Sequence, residues 1–156
     1  RGRLGDKTHD DREAGLKKAL EAGGVEILEI KAADSEAEKA MNVMQDLLNR
    51  YDNIDLVITT ADSMAQGAQR AVEAAGAKTL VYGFDGTIPV VEMTAEGKFL
   101  GSTAQSPYNM GAMGVENAVK AVKGEKVEAR IDTGAEVITV ENAKAYLDNI
   151  NKLLGN

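Results

Sequence analysis

The sequence predicts an α/β domain of the flavodoxin-like, doubly wound kind with a parallel sheet, and three features predict it. Strand-length apolar runs alternate with helical patterns from end to end. The helical stretches between the runs are of roughly 10 to 16 residues, the length of right-handed crossovers between parallel strands. The ends of the runs are polar, and open parallel sheets bind their ligands outside the C-terminal ends of their strands.

Each element follows from spacing and punctuation. A helix begins near Asp10, where Asp10 and Asp11 favour a helix start. Residues 25–30 read as a strand whose outward Glu26 and Glu29 mark a sheet edge. Residues 36–51 read as a helix, with Ala40, Met44, Leu47, Leu48 and Tyr51 at helical spacing. Leu56, Val57 and Ile58 form a strand, and a helix over residues 63–75 closes at Gly76. Leu80, Val81 and Tyr82 form the next strand, followed by a short helix over residues 90–95 that closes at Gly97. Residues 99–104 form a strand, and Pro107 opens a long helix that runs to about Val122 and Gly124. A polar strand over residues 137–140 and a last helix over residues 141–153 complete the chain. Met41, Met44, Met110 and Met113, at helical spacing, are expected in the core.

In the flavodoxin-like order 2-1-3-4-5 the first strand is central. Only Arg1-Gly2-Arg3-Leu4 precedes the first helix, so most of that strand is expected to be missing or supplied by another chain. The 156 residues are one domain by size, residues 1–156 as a single lobe.

Composition narrows the chemistry. The chain has 25 acidic and 18 basic residues, a net charge of −7, and no basic run, which argues against a nucleic-acid partner. With no Cys there are no disulfides, thiolate nucleophiles or zinc–thiolate sites, and His9 is the only histidine. No apolar run approaches the ~20 residues that cross a bilayer. Nothing in the sequence calls for a cofactor or a metal.

The strand-to-helix junctions carry the candidate site. Asp85 and Gln105 project from neighbouring junctions onto one rim, Arg12 adds a fork of donors near the start of the first helix, and Asp10 lies in the polar stretch beside it. A carboxylate, an amide and a guanidinium together offer the donors and acceptors that a polyhydroxylated ligand needs. Simpler roles are available to each. Asp62 and Ser106 stand where helix N-caps stand, Asp85 also fits a turn before Gly86, and Arg12 fits a surface ion pair.

Five segments in order resemble the ribose-type periplasmic sugar-binding proteins, and with them the effector-binding cores of lac-repressor-type regulators. They are Arg12-Glu13-Ala14-Gly15-Leu16, Asn42-Val43-Met44-Gln45-Asp46-Leu47-Leu48, Asp62-Ser63-Met64-Ala65-Gln66-Gly67-Ala68, Tyr82-Gly83-Phe84-Asp85-Gly86-Thr87 and Thr103-Ala104-Gln105-Ser106-Pro107. The strand near Ile138 resembles the returning hinge segment of that family. The resemblance implies the C-terminal lobe of a two-lobed, hinged extracytoplasmic receptor, its N-terminal lobe absent, which closes on a monosaccharide or polyol and delivers it to the membrane permease of an ABC transporter. It further implies that Asp85, Gln105 and an Arg at or near Arg12 bond sugar hydroxyls. Two departures bear on the ligand: Ala61 stands where ribose receptors carry Asn, and Ser35 where they carry an aromatic.

Enzyme readings of the same rim fail. A haloacid-dehalogenase-type phosphatase needs an Asp where Gly83 stands, and a response regulator needs a Lys where the strand ends in Thr103-Ala104-Gln105. No Gly-rich phosphate loop is present. A regulator core is expected to show an apolar dimer patch, for which the tail with Tyr146, Leu147, Ile150, Leu153 and Leu154 is the candidate, and a sugar sensor is the third reading.

Overall fold

The computed structural model describes residues 1–155. In chain order its elements are α1 (Lys7–Ala22), α2 (Ala37–Arg50), β1 (Leu56–Ile58), α3 (Asp62–Ala75), β2 (Leu80–Asp85), α4 (Ile88–Ala95), β3 (Gly101–Gln105), α5 (Pro107–Val122), β4 (Ala135–Ile138) and α6 (Ala143–Leu154). The four strands form one sheet in the order β1-β2-β3-β4. The first three run parallel, each reached by a helical crossover, and β4 returns antiparallel to β3 with Ile138 opposite Ser102 and Ala135 opposite Gln105.

The apolar positions of α2 and α3 fall on facing stripes because both keep helical spacing. Met44 meets Ala65, Ala68, Ala71 and Val72, and this layer continues onto Val81, Val90 and Phe99. Small alanines on α3 let the two helices approach closely while the Met44 side chain fills the remaining gap. A second cluster joins Val91, Ala104, Ile138 and Ala143, with Tyr146 and Leu147 packed against it. The apolar face of α6 that was the candidate dimer patch is thus partly consumed by packing on α4 and the sheet, while Leu153 and Leu154 stay exposed.

Three expectations need correction. Residues 25–30 form no strand, because a strand in a sheet exists only by pairing and no strand of the sheet pairs with them. The sheet is mostly rather than wholly parallel. Helix α5 contributes nothing to the core: it has no buried residue, Met110 is 41% exposed and Val122 is 90% exposed. The methionine expectation holds only for Met41 and Met44, which pack in the first cluster. The accessible surface of 9768 Å² is well above the roughly 7,600 Å² expected of a folded 16.5 kDa chain. The chain therefore holds apolar surface that its own contacts do not cover, on α5 and beside β1.

Candidate functional site

The C-terminal ends of β2 and β3 place Asp85 and Gln105 side by side. Gln105 Nε2 donates to Asp85 Oδ1 at 2.6 Å, and Arg12 Nη1 donates to the same oxygen at 3.2 Å. Arg12 reaches there from the second turn of α1. Its Nη1 also donates to the Thr60 carbonyl at 2.8 Å, and its guanidinium lies 3.9 Å from the centre of the Phe84 ring. Stacking on one face and bonding at one nitrogen hold the planar group in a single orientation. Arg12, Asp85 and Gln105 thus form one cluster, as the strand-end argument expects.

Asp10 stands apart from it. Its carboxylate pairs with the Arg1 guanidinium, which also binds Glu13 at 2.7 Å, and no hydrogen bond connects it to Asp85 or Gln105. One turn separates Asp10 from Glu13, so both acids face Arg1 and away from the cluster.

The cluster keeps unused valences. Asp85 Oδ2, Gln105 Oε1 and the Nη2 and Nε of Arg12 have no hydrogen-bond partner among the described residues, and Asp85 is 28% exposed. Two acceptors and two donor nitrogens therefore line the rim, matching vicinal hydroxyls, each of which donates once and accepts.

Asp85 itself sits at φ +125°, a region that a side chain normally avoids. The turn that holds it there is built on Asp62, a residue that sequence reasoning placed as a cap. The N-cap position of α3 is Ala61, whose side chain cannot cap, and the Asp62 carboxylate instead turns into the protein and is wholly buried. Its Oδ2 accepts from Thr87 N at 2.7 Å and Thr87 Oγ1 at 2.9 Å, and its Oδ1 accepts from Ser102 Oγ at 2.8 Å. Ser102 Oγ in turn accepts from Gly86 N at 3.2 Å. The chain from Asp85 to Thr87 is thereby bonded, directly or through Ser102, to one buried carboxylate. Gly86, at φ +71°, continues the turn with no steric cost. Ser106 holds the N-cap position of α5 without a side-chain bond.

Burial pushes the Asp62 carboxyl up from its ordinary value, and the nearby charge of Asp85 adds to this, while its three donors pull it down. The folded value is the higher one, so this group's contribution to stability is full in acid and is lost as pH rises through its raised value. Against an Asp62→Asn variant, which does not titrate, the melting-temperature advantage of the native chain is expected to shrink between about pH 3.5 and 7. Thermal denaturation across that range checks it. A gap that widens with pH would show the carboxylate to be the better-held form.

A further group escaped sequence reasoning. His9 Nδ1 lies 2.9 Å from Thr60 Oγ1 and its Nε2 lies 3.0 Å from Ser35 Oγ. Thr60 Oγ1 also accepts from Gly2 N at 3.0 Å, so one hydroxyl joins residue 2 and the imidazole. This ties the start of α1 to the 34–35 turn, where Asp34 and Ser35 both have positive φ. A lone His in a polar stretch carries no signal of such a role.

Comparison with known proteins fits this geometry. The periplasmic binding protein domain matches residues 1–126. The chain belongs to the periplasmic binding protein family. Within that family, the ribose import binding protein of Haemophilus influenzae is 38% identical over 138 residues, which is 88% of this chain and 47% of that protein. The ribose import binding protein of Escherichia coli is 36% identical over the same length and shares. Among solved structures, a periplasmic solute-binding protein of an ABC transporter from Actinobacillus succinogenes, with bound D-allose, superposes with a TM-score of 0.88 at 31% identity, covering 93% of this chain and 53% of that one. A solute-binding protein from Bacillus halodurans with bound myo-inositol gives 0.84 at 35% identity, covering 93% and 51%. This periplasmic binding protein chain thus spans about half the length of its relatives and has the fold of one lobe, with an open sheet. No described helix is long and apolar enough to cross a membrane.

Proposed function

We propose that this chain is the C-terminal lobe of an extracytoplasmic solute-binding component of an ABC transporter, and that Arg12, Asp85 and Gln105 bond the hydroxyls of a monosaccharide or polyol. The unused acceptors and donors of that cluster, fixed on a strained turn at the strand ends, carry the reading. Relatives named for ribose and structures holding D-allose and myo-inositol support this ligand class. The protein binds and does not catalyse: the rim offers hydrogen bonds, and no nucleophile is paired with a base there. Its partners are the sugar, a membrane permease and an N-terminal lobe.

Helix α5 stands off the core on the same side of the chain path as the rim. The chain leaves β3 at Gln105 and returns to β4 at Ala135, directly opposite in the sheet, so residues 106–134 are an excursion from the rim. Tyr108, Val115, Val119 and Val122 form one exposed stripe along α5. Asp10, paired with Arg1, belongs to the support of the rim rather than to the ligand contacts.

A calorimetric and thermal-shift panel of monosaccharides and polyols tests the reading on an N-terminally extended form that supplies the opposite lobe. One pentose, hexose or inositol is expected to bind with micromolar or better affinity, while the 156-residue chain binds it at least about a hundredfold more weakly, because half of the desolvating contacts are missing. Silence across the panel from a folded two-lobed form would refute a sugar or polyol ligand.

A further inference from the structure

Asp85 and Gln105 close strands β2 and β3, but Arg12 reaches the rim from α1. The sheet fixes the strand ends, whereas the direction of Arg12 depends on how the first turns of α1 are seated. Among the described residues, the side chains of residues 7–12 that bond outside the helix are those of Asp10, His9 and Arg12. Asp10 goes to Arg1, while His9 and Arg12 both go to Thr60. Three residues apart, they share one face of the helix. Arg12 Nη1 bonds the carbonyl of Thr60 and His9 Nδ1 its hydroxyl, so a single buried residue receives both.

The imidazole is itself braced. Ser35 Oγ lies against its other nitrogen, Nε2, and two bonds on opposite sides of the ring fix its plane. Ser35 is held in turn: its φ is +64°, uncommon for a residue with a side chain, and its carbonyl accepts from Ser63 Oγ at 2.9 Å. Gly2 lies flat on the ring, where any side chain would overlap it. A line of hydrogen bonds thus runs along the rim from Ser35 through His9 and Thr60 to Arg12 and Asp85. Asp85 and Gln105 meet without this line, because the sheet places both.

We propose that His9 is a positioning residue for ligand binding: through Thr60 it seats the start of α1 and holds the Arg12 guanidinium in the orientation that offers Nη2 and Nε to ligand hydroxyls. The inference rests on Arg12 being a ligand contact, as proposed above. Nδ1 is the nitrogen that carries the role, since it faces Thr60 and Nε2 faces Ser35. That makes the role separable by substitution. The amide of Asn stands where Nδ1 stands and can donate or accept there, whereas the longer Gln places its amide nearer Nε2, toward Ser35.

The test is side-chain NMR of Arg12 and Gln105 without sugar, in the native chain and in His9→Ala, His9→Asn, His9→Gln and Thr60→Val, followed by sugar titration of the two-lobed form carrying the same changes. Thr60→Val keeps the carbonyl that holds Arg12 and removes the hydroxyl that holds His9. The native Arg12 guanidinium is expected to give separate Nη signals. Rotation about the Nε–Cζ bond merges them in His9→Ala, His9→Gln and Thr60→Val but not in His9→Asn, while the Gln105 amide signals stay in place throughout. Affinity is expected to fall about tenfold in the first three and to return to within about threefold of native with Asn, the scale set by ordering one long side chain in advance. Separate Arg12 signals in His9→Ala would overturn the proposal. So would equal losses of affinity in His9→Ala, His9→Asn and His9→Gln, the pattern of a residue that touches the ligand or merely supports the fold. A two-lobed form that binds no sugar, while its Arg12 signals still respond to His9 as expected, would refute the sugar ligand and leave the seating of Arg12 standing.

Discussion

Replacing Asp85 with Gly in the two-lobed form is expected to weaken sugar binding by about a hundredfold or more while leaving the melting temperature within about 3 °C of the native value. The two halves of this expectation have separate origins. Binding falls because Asp85 is the acceptor around which Arg12 and Gln105 are arranged; without it, the donors of both lose their partner and the ligand loses a charged acceptor for its hydroxyls. Stability holds because Asp85 occupies φ +125°, which Gly adopts freely, so relief of strain offsets the lost bonds to Arg12 and Gln105. Asp85→Ala removes the same carboxylate but keeps the strain, and is expected to melt lower than Asp85→Gly with equally poor binding. Calorimetry and thermal denaturation of the pair check both statements. Native affinity in Asp85→Gly would place the ligand elsewhere.

The largest effect on folding is expected at Gly83. A methyl there would stand 2.1 Å from Asp62 Oδ1 and 3.3 Å from Ser102 Oγ. Asp62 has no room to retreat, because it is wholly buried and held by three donors. Gly83→Ala therefore forces either the strand or the carboxylate to move and leaves buried donors without an acceptor, at about 3 kcal/mol or more. That corresponds to a fall of roughly 10 °C in melting temperature for a chain of this size. The clash and the carboxylate are one system, so combining Gly83→Ala with Asp62→Ala is expected to cost clearly less than the sum of the two single changes. Strict additivity in that double-mutant cycle would show that Asp62 does not determine the need for glycine.

The strand-end polar residues were legible in sequence because an open parallel sheet brings the C-terminal ends of neighbouring strands together whatever the side chains are. Asp85 and Gln105 met for that reason, and Arg12 joined them because a helix that starts at the same rim points its second turn across it. Asp10 did not follow, since helical spacing turns it toward Arg1 and Glu13 on another face. Asp62 was misread because a cap and a buried network look alike one residue from a helix start; Gly83, on the next strand β2, is the sequence trace of the space it occupies. Residues 25–30 have the apolar pattern of a strand and form none, because pattern does not supply a neighbour to pair with. Helix α5 has the amphipathic spacing of a core helix, and spacing does not tell which body its apolar stripe covers.

The central claim is that Arg12, Asp85 and Gln105 hold the hydroxyls of the ligand. Side-chain NMR of the two-lobed form, titrated with the sugar that binds best, tests it most directly. The account predicts large shifts at the Gln105 amide protons and the Arg12 guanidinium, with hydroxyl-proton contacts to both, and unmoved signals at Arg1 and Asp10. Shifts confined to Arg1 and Asp10, with Gln105 and Arg12 unchanged at saturation, would contradict it.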